Sequence, residues 1–196
     1  MDIYRATSTI PVILSRGAKY VVPFSRIRDI RKFSKDNPDV VTVGERFGIR
    51  IPSLDYNNSP SEMSTADLNG KIVAITSTNG TRALKRLKPG TEIITGAFVN
   101  HTATLNYARD REEVWIIRSD RPDGISEEDN IYADFLKECL TGFFPDPEEY
   151  INRVRECGGS RILARLGATA DIDMALSLDS VNFVVIFRDG KFFRLE

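Results

Sequence analysis

Five short polar segments of the chain contain the residue types that bind phosphate groups or hard metal ions. They lie at residues 2–9, 44–46, 55–60, 78–82 and 126–129 of the 196-residue sequence. Arginine forms paired hydrogen bonds with phosphate or carboxylate groups, and carboxylates hold cations such as Mg²⁺. Each segment also has a purely structural interpretation.

The segment Thr78-Asn79-Gly80-Thr81-Arg82 follows a predicted buried strand at residues 71–76. Asn-Gly often forms a hairpin turn, but residues 81–87 have helical spacing, which favours a strand-to-helix turn. Backbone N–H groups at a helix start, two threonine hydroxyls, Arg82 and a permissive Gly80 make a natural phosphate cradle. An ordinary cap before a surface helix fits the same pattern equally well.

The segment at residues 2–9 combines Asp2, Arg5 and three hydroxyl side chains near a predicted helix at residues 7–16. Asp2 can bind a metal ion, and Arg5 can bind a phosphate or a carboxylate. The same pattern is typical of a helix N-terminus, where the helix dipole favours an acidic residue.

Two further segments belong to the strand and the loop that precede the cradle. Glu45 and Arg46 follow a predicted strand at residues 40–43, and open α/β sheets bind ligands at the carboxyl ends of strands. Asn57 and Ser59 lie in a long polar loop predicted at residues 47–69. All four side chains can reach a ligand; alternatively, the charged pair is solvated and the loop residues form turns.

The segment Ser126-Glu127-Glu128-Asp129 opens a predicted helix at residues 127–140. Crowded carboxylates are costly unless a metal ion or a proton offsets their repulsion, so the segment can gather a cation. A helix cap built from Ser126 and Asp129 is the alternative.

Composition excludes several classes of function. The net charge is −1 with no block of Lys or Arg, which argues against a nucleic-acid-binding protein. No apolar run approaches the roughly 18 residues of a membrane span, and the first residues do not resemble a signal peptide, which predicts a cytoplasmic protein. His101 is the sole histidine, so any metal is expected to have oxygen ligands, which favours Mg²⁺. Cys139 and Cys157 are predicted to be buried thiols.

Short β-rich runs alternate with helical runs over the first 140 residues. Strands are predicted at residues 20–22, 40–43, 71–76, 91–95 and 114–117, and helices at about 7–16, 27–33, 81–87, 100–109 and 127–140. This alternation predicts an α/β fold with a largely parallel or mixed sheet.

The pattern changes after Pro145. Helices are predicted at residues 148–156 and 159–166, and two apolar runs around Asp189-Gly190 predict a closing β-hairpin. We expect one domain over residues 1–196; a subdivision into an α/β core at 1–140 and a C-terminal part at 145–196 is the alternative. The hairpin's phenylalanines are expected in the core, with a homodimer interface as the alternative.

Taken in order, the segments resemble the 2-phosphosulfolactate phosphatases, the ComB-like family of coenzyme M biosynthesis. The matching motifs are Asp-x-x-Arg-Ala-Thr-(Ser/Thr)-Thr at residues 2–9, Gly-Glu-Arg at 44–46, Ile-Pro-x-x-Asp-x-x-Asn-Ser-Pro at 51–60, Thr-Asn-Gly-Thr-Arg-Ala-Leu at 78–84, Gly-x-Phe-x-Asn at 96–100 and Glu-Asp at 128–129. The combination is specific to the family, although no single motif is, and it covers nearly the whole chain.

The resemblance implies a ComB-like fold and Mg²⁺-dependent hydrolysis of 2-phosphosulfolactate to sulfolactate and phosphate. The implied catalytic residues are Asp2 and Glu128. The implied metal ligands are Asp2, Glu45, Glu128 and Asp129. The implied substrate-binding residues are Arg5, Arg46, Asn57, Ser59, Thr78, Asn79, Gly80, Thr81 and Arg82.

Two features depart from the family pattern. Members usually have a strand before the Asp-x-x-Arg segment, whereas this sequence begins at Met1-Asp2, so we expect Asp2 to be less securely held. The loop before Glu128 usually contains a Gly-Thr-x-Gly type turn, whereas residues 118–124 are more polar here, and substrate selectivity is expected to differ. Two other functions stay open: a non-catalytic anion-binding paralogue, and a phosphatase for another small phosphorylated hydroxy acid.

Overall fold

The computed structural model describes residues 1–78, 84, 90–119 and 126–195. Its strands are β1 (Tyr20–Phe24), β2 (Val41–Arg46), β3 (Ile49–Arg50), β4 (Ile72–Thr76), β5 (Ile93–Thr95), β6 (Val184–Arg188) and β7 (Lys191–Leu195). Its helices are α1 (Ala6–Ser15), α2 (Ile27–Asp36), α3 (Pro60–Thr65), α4 (His101–Ala108), α5 (Glu127–Leu140), α6 (Pro147–Glu156), α7 (Gly158–Arg165) and α8 (Thr169–Ala175). A 3₁₀ turn, Phe98–Asn100, precedes α4. The helix predicted at residues 81–87 lies outside the described residues.

The described strands form one mixed sheet in the order β3-β2-β4-β1-β7-β6-β5. Strands β1, β4 and β2 are parallel, and the other pairs are antiparallel. The predicted α/β class is therefore confirmed. The sheet is mixed because the closing hairpin, β6 and β7, lies between β1 and β5.

Helices cover both faces of the parallel part of the sheet. Val73 and Ile75 of β4 pack in the cluster that contains α1, whereas Ile72 and Ala74 pack with Ile30 of α2. This alternation follows from the two-residue period of a strand. With both faces covered, the strand ends are where polar groups can gather.

The predicted closing hairpin is confirmed. Asp189 and Gly190 have φ values of 50° and 77°, the backbone of a type I′ turn. Phe183 and Phe192 are buried in the core that also contains Val185, as expected for aromatic side chains of this hairpin.

Two predicted elements are wrong. Residues 114–117 do not form a strand; Trp115 is 77% exposed, and the Met1 amine donates to the Ile117 carbonyl at 2.6 Å. The segment at residues 47–69, predicted as a loop, contains β3 and α3. Ser59 caps α3 by accepting the Glu62 N–H. No helix within the described ranges is both long and apolar enough to cross a bilayer.

Candidate functional site

The carboxyl ends of β2 and β4 lie in direct contact. Gly44 is paired with Thr76 in the parallel register of the two strands. A Cβ at Gly44 would lie 2.8 Å from the Thr76 carbonyl oxygen and 2.6 Å from its Cγ2, so only glycine fits there. Because β2 continues to Arg46, Glu45 lies within the strand end and not after it.

Glu45 joins the two strand ends through a buried carboxylate. It accepts the Thr78 N–H at 2.6 Å, the Thr78 hydroxyl at 3.0 Å and the Gly48 N–H at 2.7 Å. Arg46 reaches the same place and donates to the Thr76 hydroxyl at 3.0 Å. The fold thus brings Glu45, Arg46 and Thr78 together, and Thr78 is the first residue of the predicted cradle.

The cradle itself stays a prediction. Asn79, Gly80, Thr81 and Arg82 lie outside the described residues. Thr78 is held by Glu45, and its hydroxyl also accepts the Phe47 N–H at 3.1 Å. The hydrogen bonds of Thr78 therefore tie the start of the cradle to the turn between β2 and β3.

Asp2 is held between the N-terminal helix and the distant α5. Its N–H donates to the Thr7 hydroxyl at 2.8 Å, and the next N–H, of Ile3, donates to Asp129 at 2.8 Å. Asp2 and Asp129 are 5% and 1% exposed. The expectation that Asp2 is insecurely held is therefore wrong in this structure, because Thr7 and Asp129 hold its backbone on both sides.

Of the four predicted metal ligands, Asp2 and Asp129 have raised pKa values. Burial, together with the nearby carboxylates of Asp129, Glu45 and Glu128, raises the pKa of Asp2 to about 8, and the N-terminal amine partly opposes this rise. Burial also raises the pKa of Asp129 to about 6. Burial and neighbouring negative charges thus make Asp2 and Asp129 harder to ionise.

The chemistry of this donor set fits Mg²⁺. Along the described ranges, no three His, Cys, Asp or Glu side chains are arranged as a preformed metal site. Mg²⁺ is commonly held by only one or two carboxylates and keeps several water ligands. Because Asp2 has a raised pKa among neighbouring carboxylates, a cation there would offset their repulsion. Which of the four carboxylates hold it stays a prediction.

Glu128 lies in a compact polar group with Cys157, Ser160 and Tyr4. It is 2% exposed, and the Cys157 thiol lies 3.8 Å from its Oε2 atom. The Tyr4 hydroxyl is hydrogen-bonded to Ser160 at 2.8 Å beside it. Burial raises the pKa of Cys157, so this thiol is a poor nucleophile, and the prediction that both cysteines are buried is confirmed.

Arg5, Asn57 and Ser59 meet in a second buried cluster. Arg5 forms an ion pair with Asp171 and donates to the Gly48 carbonyl at 2.9 Å and to the Asn57 side-chain oxygen at 3.3 Å. The Ser59 hydroxyl donates to Asp171 at 2.5 Å. The fold brings these three predicted residues together, and their direct contact with a substrate stays a prediction.

Sequence reasoning missed Asp171. The residue lies on the buried face of α8 together with Ile172 and Ala175. A charged side chain on the apolar face of a helix needs a partner, and that was the available signal.

A cavity of about 320 Å³ lies beside Asp2. Asp2, Thr7 and Ser77 contribute polar groups to its wall, and Ile10, Ile75 and Leu136 are among its apolar lining residues. This volume is at the lower end of the range for small-molecule sites, roughly 300–1,000 Å³. The cavity therefore extends from Asp2 to Ser77 at the end of β4.

His101 belongs to the core. Its ring stacks on Phe135 with centroids 4.4 Å apart, and its Nδ1 lies 3.4 Å from the Tyr132 hydroxyl. Burial lowers its pKa, so the imidazole is neutral at physiological pH.

Comparison with known proteins adds an independent finding. The family model described as 2-phosphosulpholactate phosphatase matches residues 1–190. A protein of Thermoplasma volcanium named probable 2-phosphosulfolactate phosphatase is 42% identical over 97% of this chain and 89% of its own length. Relatives with the same name from Thermoplasma acidophilum and Microcystis aeruginosa are 42% and 35% identical, covering 97% and 96% of this chain and 86% and 88% of their own lengths.

Proposed function

Because the chain belongs to the 2-phosphosulpholactate phosphatase family, we propose that it hydrolyses 2-phosphosulfolactate to sulfolactate and phosphate with Mg²⁺, as in coenzyme M biosynthesis. The family is one of phosphoric monoester hydrolases. The observation that carries the proposal is the junction of Glu45 with Thr78 at the ends of β2 and β4. We further propose that residues 1–196 act as one domain.

Substrate binding is assigned to the end of β4. Glu45 already accepts the Thr78 N–H, so the backbone donors for a phosphate group would come from Asn79, Gly80 and Thr81. Arg46, whose guanidinium reaches the Thr76 hydroxyl, and Arg82 would supply positive charge. A substrate with phosphate, sulfonate and carboxylate groups needs several such donors.

The metal is assigned to the carboxylates around Asp2. When bound, Mg²⁺ would supply Lewis-acid chemistry to the phosphoryl group. Asp2 would hold it, and Asp129, Glu45 and Glu128 are the further candidate ligands. Asp2 would then be ionised at neutral pH, although its pKa without a cation is raised to about 8.

Hydrolysis is assigned to a water molecule oriented by Glu128. The water oxygen forms a bond to phosphorus as the ester P–O bond breaks, Glu128 accepts the water proton, and the leaving sulfolactate oxygen takes up a proton from solvent. Glu128 is buried, and its carboxylate is one of those that raise the pKa of Asp2. In this scheme Asp2 and Glu128 contact the reacting groups, whereas Glu45 holds Thr78.

A turnover assay tests the proposal. Purified protein is incubated with 2-phosphosulfolactate, and released phosphate is measured with MgCl₂ and with EDTA. Release that requires Mg²⁺ supports the proposal. Tight substrate binding without release by folded protein would instead identify an anion-binding paralogue. Faster release from phospholactate would identify a phosphatase for another phosphorylated hydroxy acid.

A further inference from the structure

Asp171 is a buried carboxylate that the proposed reaction does not use. Its side chain is 3% exposed and accepts hydrogen bonds from the N-terminal segment and from the start of α3. Arg5 donates to Oδ2, and the hydroxyls of Ser59 and Ser61 donate to Oδ1 at 2.5 and 2.6 Å. The Ser61 N–H adds a contact at 3.2 Å. Asp171 is thus fully occupied by the protein and leaves Arg5 in one orientation.

The orientation of Arg5 has a consequence for the turn between β2 and β3. With its Nη1 donating to Asp171, Arg5 donates through Nη2 to the Gly48 carbonyl at 2.9 Å. The Gly48 N–H donates to Glu45 at 2.7 Å. Arg5 therefore holds the carbonyl side of Gly48 while Glu45 holds its N–H.

Glu45 links Gly48 to Thr78, where the proposed anion site begins. The carboxylate that accepts the Gly48 N–H also accepts the Thr78 N–H and hydroxyl, at 2.6 and 3.0 Å. A continuous series of hydrogen bonds therefore runs from Asp171 through Arg5, Gly48 and Glu45 to Thr78. All its links lie in described residues, and both side-chain partners at its start are almost fully buried.

A gain in folding stability does not by itself explain the buried ion pair between Arg5 and Asp171. Taking two charges out of water costs several kcal/mol per ion, and well-packed apolar residues in their place are often equally stabilising. What the pair supplies is a fixed direction, because a planar guanidinium held on one side can present its remaining N–H groups in only one way.

We propose that Asp171 is a positioning residue for the phosphatase reaction: through Arg5 and Gly48 it sets the Glu45–Thr78 junction from which the anion cradle starts. The inference rests on the proposed function. The proposal also distinguishes two roles for Arg5. An arginine that only contacts the substrate carries its charge without Asp171, whereas an arginine that orients Gly48 depends on Asp171.

The test compares Asp171→Asn with the matched control Asp173→Asn. Asp173 lies on the same helix and pairs with Arg155 at 2.6 Å, but that pair is 45% and 60% exposed. For both variants and the wild type, kcat, KM and the backbone hydrogen exchange of Gly48 and Thr78 are measured well below the Tm. Exchange is expressed relative to the amides of β1.

Asp171→Asn is expected to lower kcat/KM at least tenfold, mainly through kcat, and to speed exchange at Gly48 and Thr78 at least tenfold. Asp173→Asn should stay within twofold of the wild type in both measurements. A folded Asp171→Asn protein with kcat/KM within twofold of the wild type would overturn the proposal, as would unchanged exchange at both amides.

The exchange measurement does not depend on turnover. If the wild type releases no phosphate, the proposed function fails, and the exchange at Gly48 and Thr78 still decides whether Asp171 sets this junction. If Asp171→Asn does not fold, the double variant Arg5→Met/Asp171→Leu replaces the ion pair by apolar side chains. Faster exchange at Gly48 and Thr78 in the folded double variant supports the proposal, and wild-type exchange overturns it.

Discussion

The Glu45 carboxylate accepts the Thr78 backbone N–H at 2.6 Å and so joins the ends of two parallel strands. The two residues are 33 positions apart in the chain, and the contact exists because Gly44 lets β2 approach β4 closely. A carboxylate that accepts backbone N–H groups makes charge-assisted hydrogen bonds, which are stronger than neutral ones.

Glu45→Gln is expected to lower kcat/KM by roughly 10- to 100-fold. Hydrogen bonds to charged groups contribute about 1.5–3 kcal/mol, and about 1.4 kcal/mol corresponds to a factor of ten in rate. The measurement is steady-state kinetics with 2-phosphosulfolactate. Glu127→Gln is the control, since this exposed side chain also accepts a backbone N–H, from Gly158 at 2.9 Å. Equal activity of the two variants would show that the junction has no part in the reaction.

Gly44→Ala is expected to destabilise the fold and to lower activity together. The new Cβ would lie 2.8 Å from the Thr76 backbone oxygen, which cannot move without separating the strands. Overpacking of this kind costs about 1–3 kcal/mol, and for a chain of this size each kcal/mol lowers the Tm by roughly 2–4 °C.

Thermal unfolding checks this prediction, with Gly158→Ala as the control. A Cβ at Gly158 would approach only the Glu127 carboxylate, at 3.7 Å, and should leave the Tm almost unchanged. A Gly44→Ala protein as stable as the wild type would mean that β2 and β4 tolerate a wider separation.

Much of the fold follows from local patterns in the sequence. The helix predicted at residues 127–140 is α5 with the same bounds, because its apolar residues recur at helical spacing. The apolar run at residues 114–117 predicted a strand, because a local pattern does not distinguish a strand that pairs in a sheet from an extended segment that does not. Here Met1 pairs with Ile117 and Ser119 instead, a partner that no local pattern indicates.

Asp2→Asn is expected to remove a pH dependence from the stability of the metal-free protein. The pKa of Asp2 is raised from the ordinary value near 4 to about 8, so its contribution to stability is fully present below pH 4 and is lost as the pH rises to about 8. In EDTA, the Tm of the variant relative to the wild type should therefore be at least about 3 °C higher at pH 9 than at pH 5.

Mg²⁺ provides the second half of that experiment. Adding MgCl₂ at pH 8 should raise the Tm of the wild type and have a smaller effect on Asp2→Asn, because the cation stabilises the ionised carboxylate. Asp134→Asn, an exposed change on α5, is the control and should follow the wild type. Parallel curves for the wild type and Asp2→Asn at all pH values would contradict the assigned role of Asp2.

Phe47→Asn is expected to stabilise the turn between β2 and β3. Phe47 and Gly48 have φ values of 54° and 82°, a conformation that Asn-Gly adopts readily and a phenylalanine does not. The Phe47 ring is 77% exposed, so little apolar burial is lost. We expect an increase in unfolding free energy of about 0.5–1 kcal/mol, measured by urea titration, a gain comparable to that of other backbone-compatible replacements. A decrease in unfolding free energy would show that the Phe47 ring contributes more to stability than its exposure indicates.

The site was less predictable than the fold. The order of the motifs indicated that Asp2, Glu45, Glu128 and Asp129 belong together, and the structure places their charges within electrostatic reach of Asp2. It did not indicate that Arg5 is turned towards Asp171, because that pair spans 166 positions and depends on how α8 packs. Contacts between distant elements are set by packing geometry, which single-sequence patterns do not contain.

A crystal structure with Mn²⁺ in place of Mg²⁺ and with orthovanadate as a phosphate analogue tests the central claim most directly. The anomalous signal should place the metal within coordination distance, about 2.0–2.3 Å, of a carboxylate oxygen of Asp2. The vanadate should be bound by backbone N–H groups that follow Thr78. A metal bound elsewhere, or vanadate bound away from the ends of β2 and β4, would contradict the proposed site.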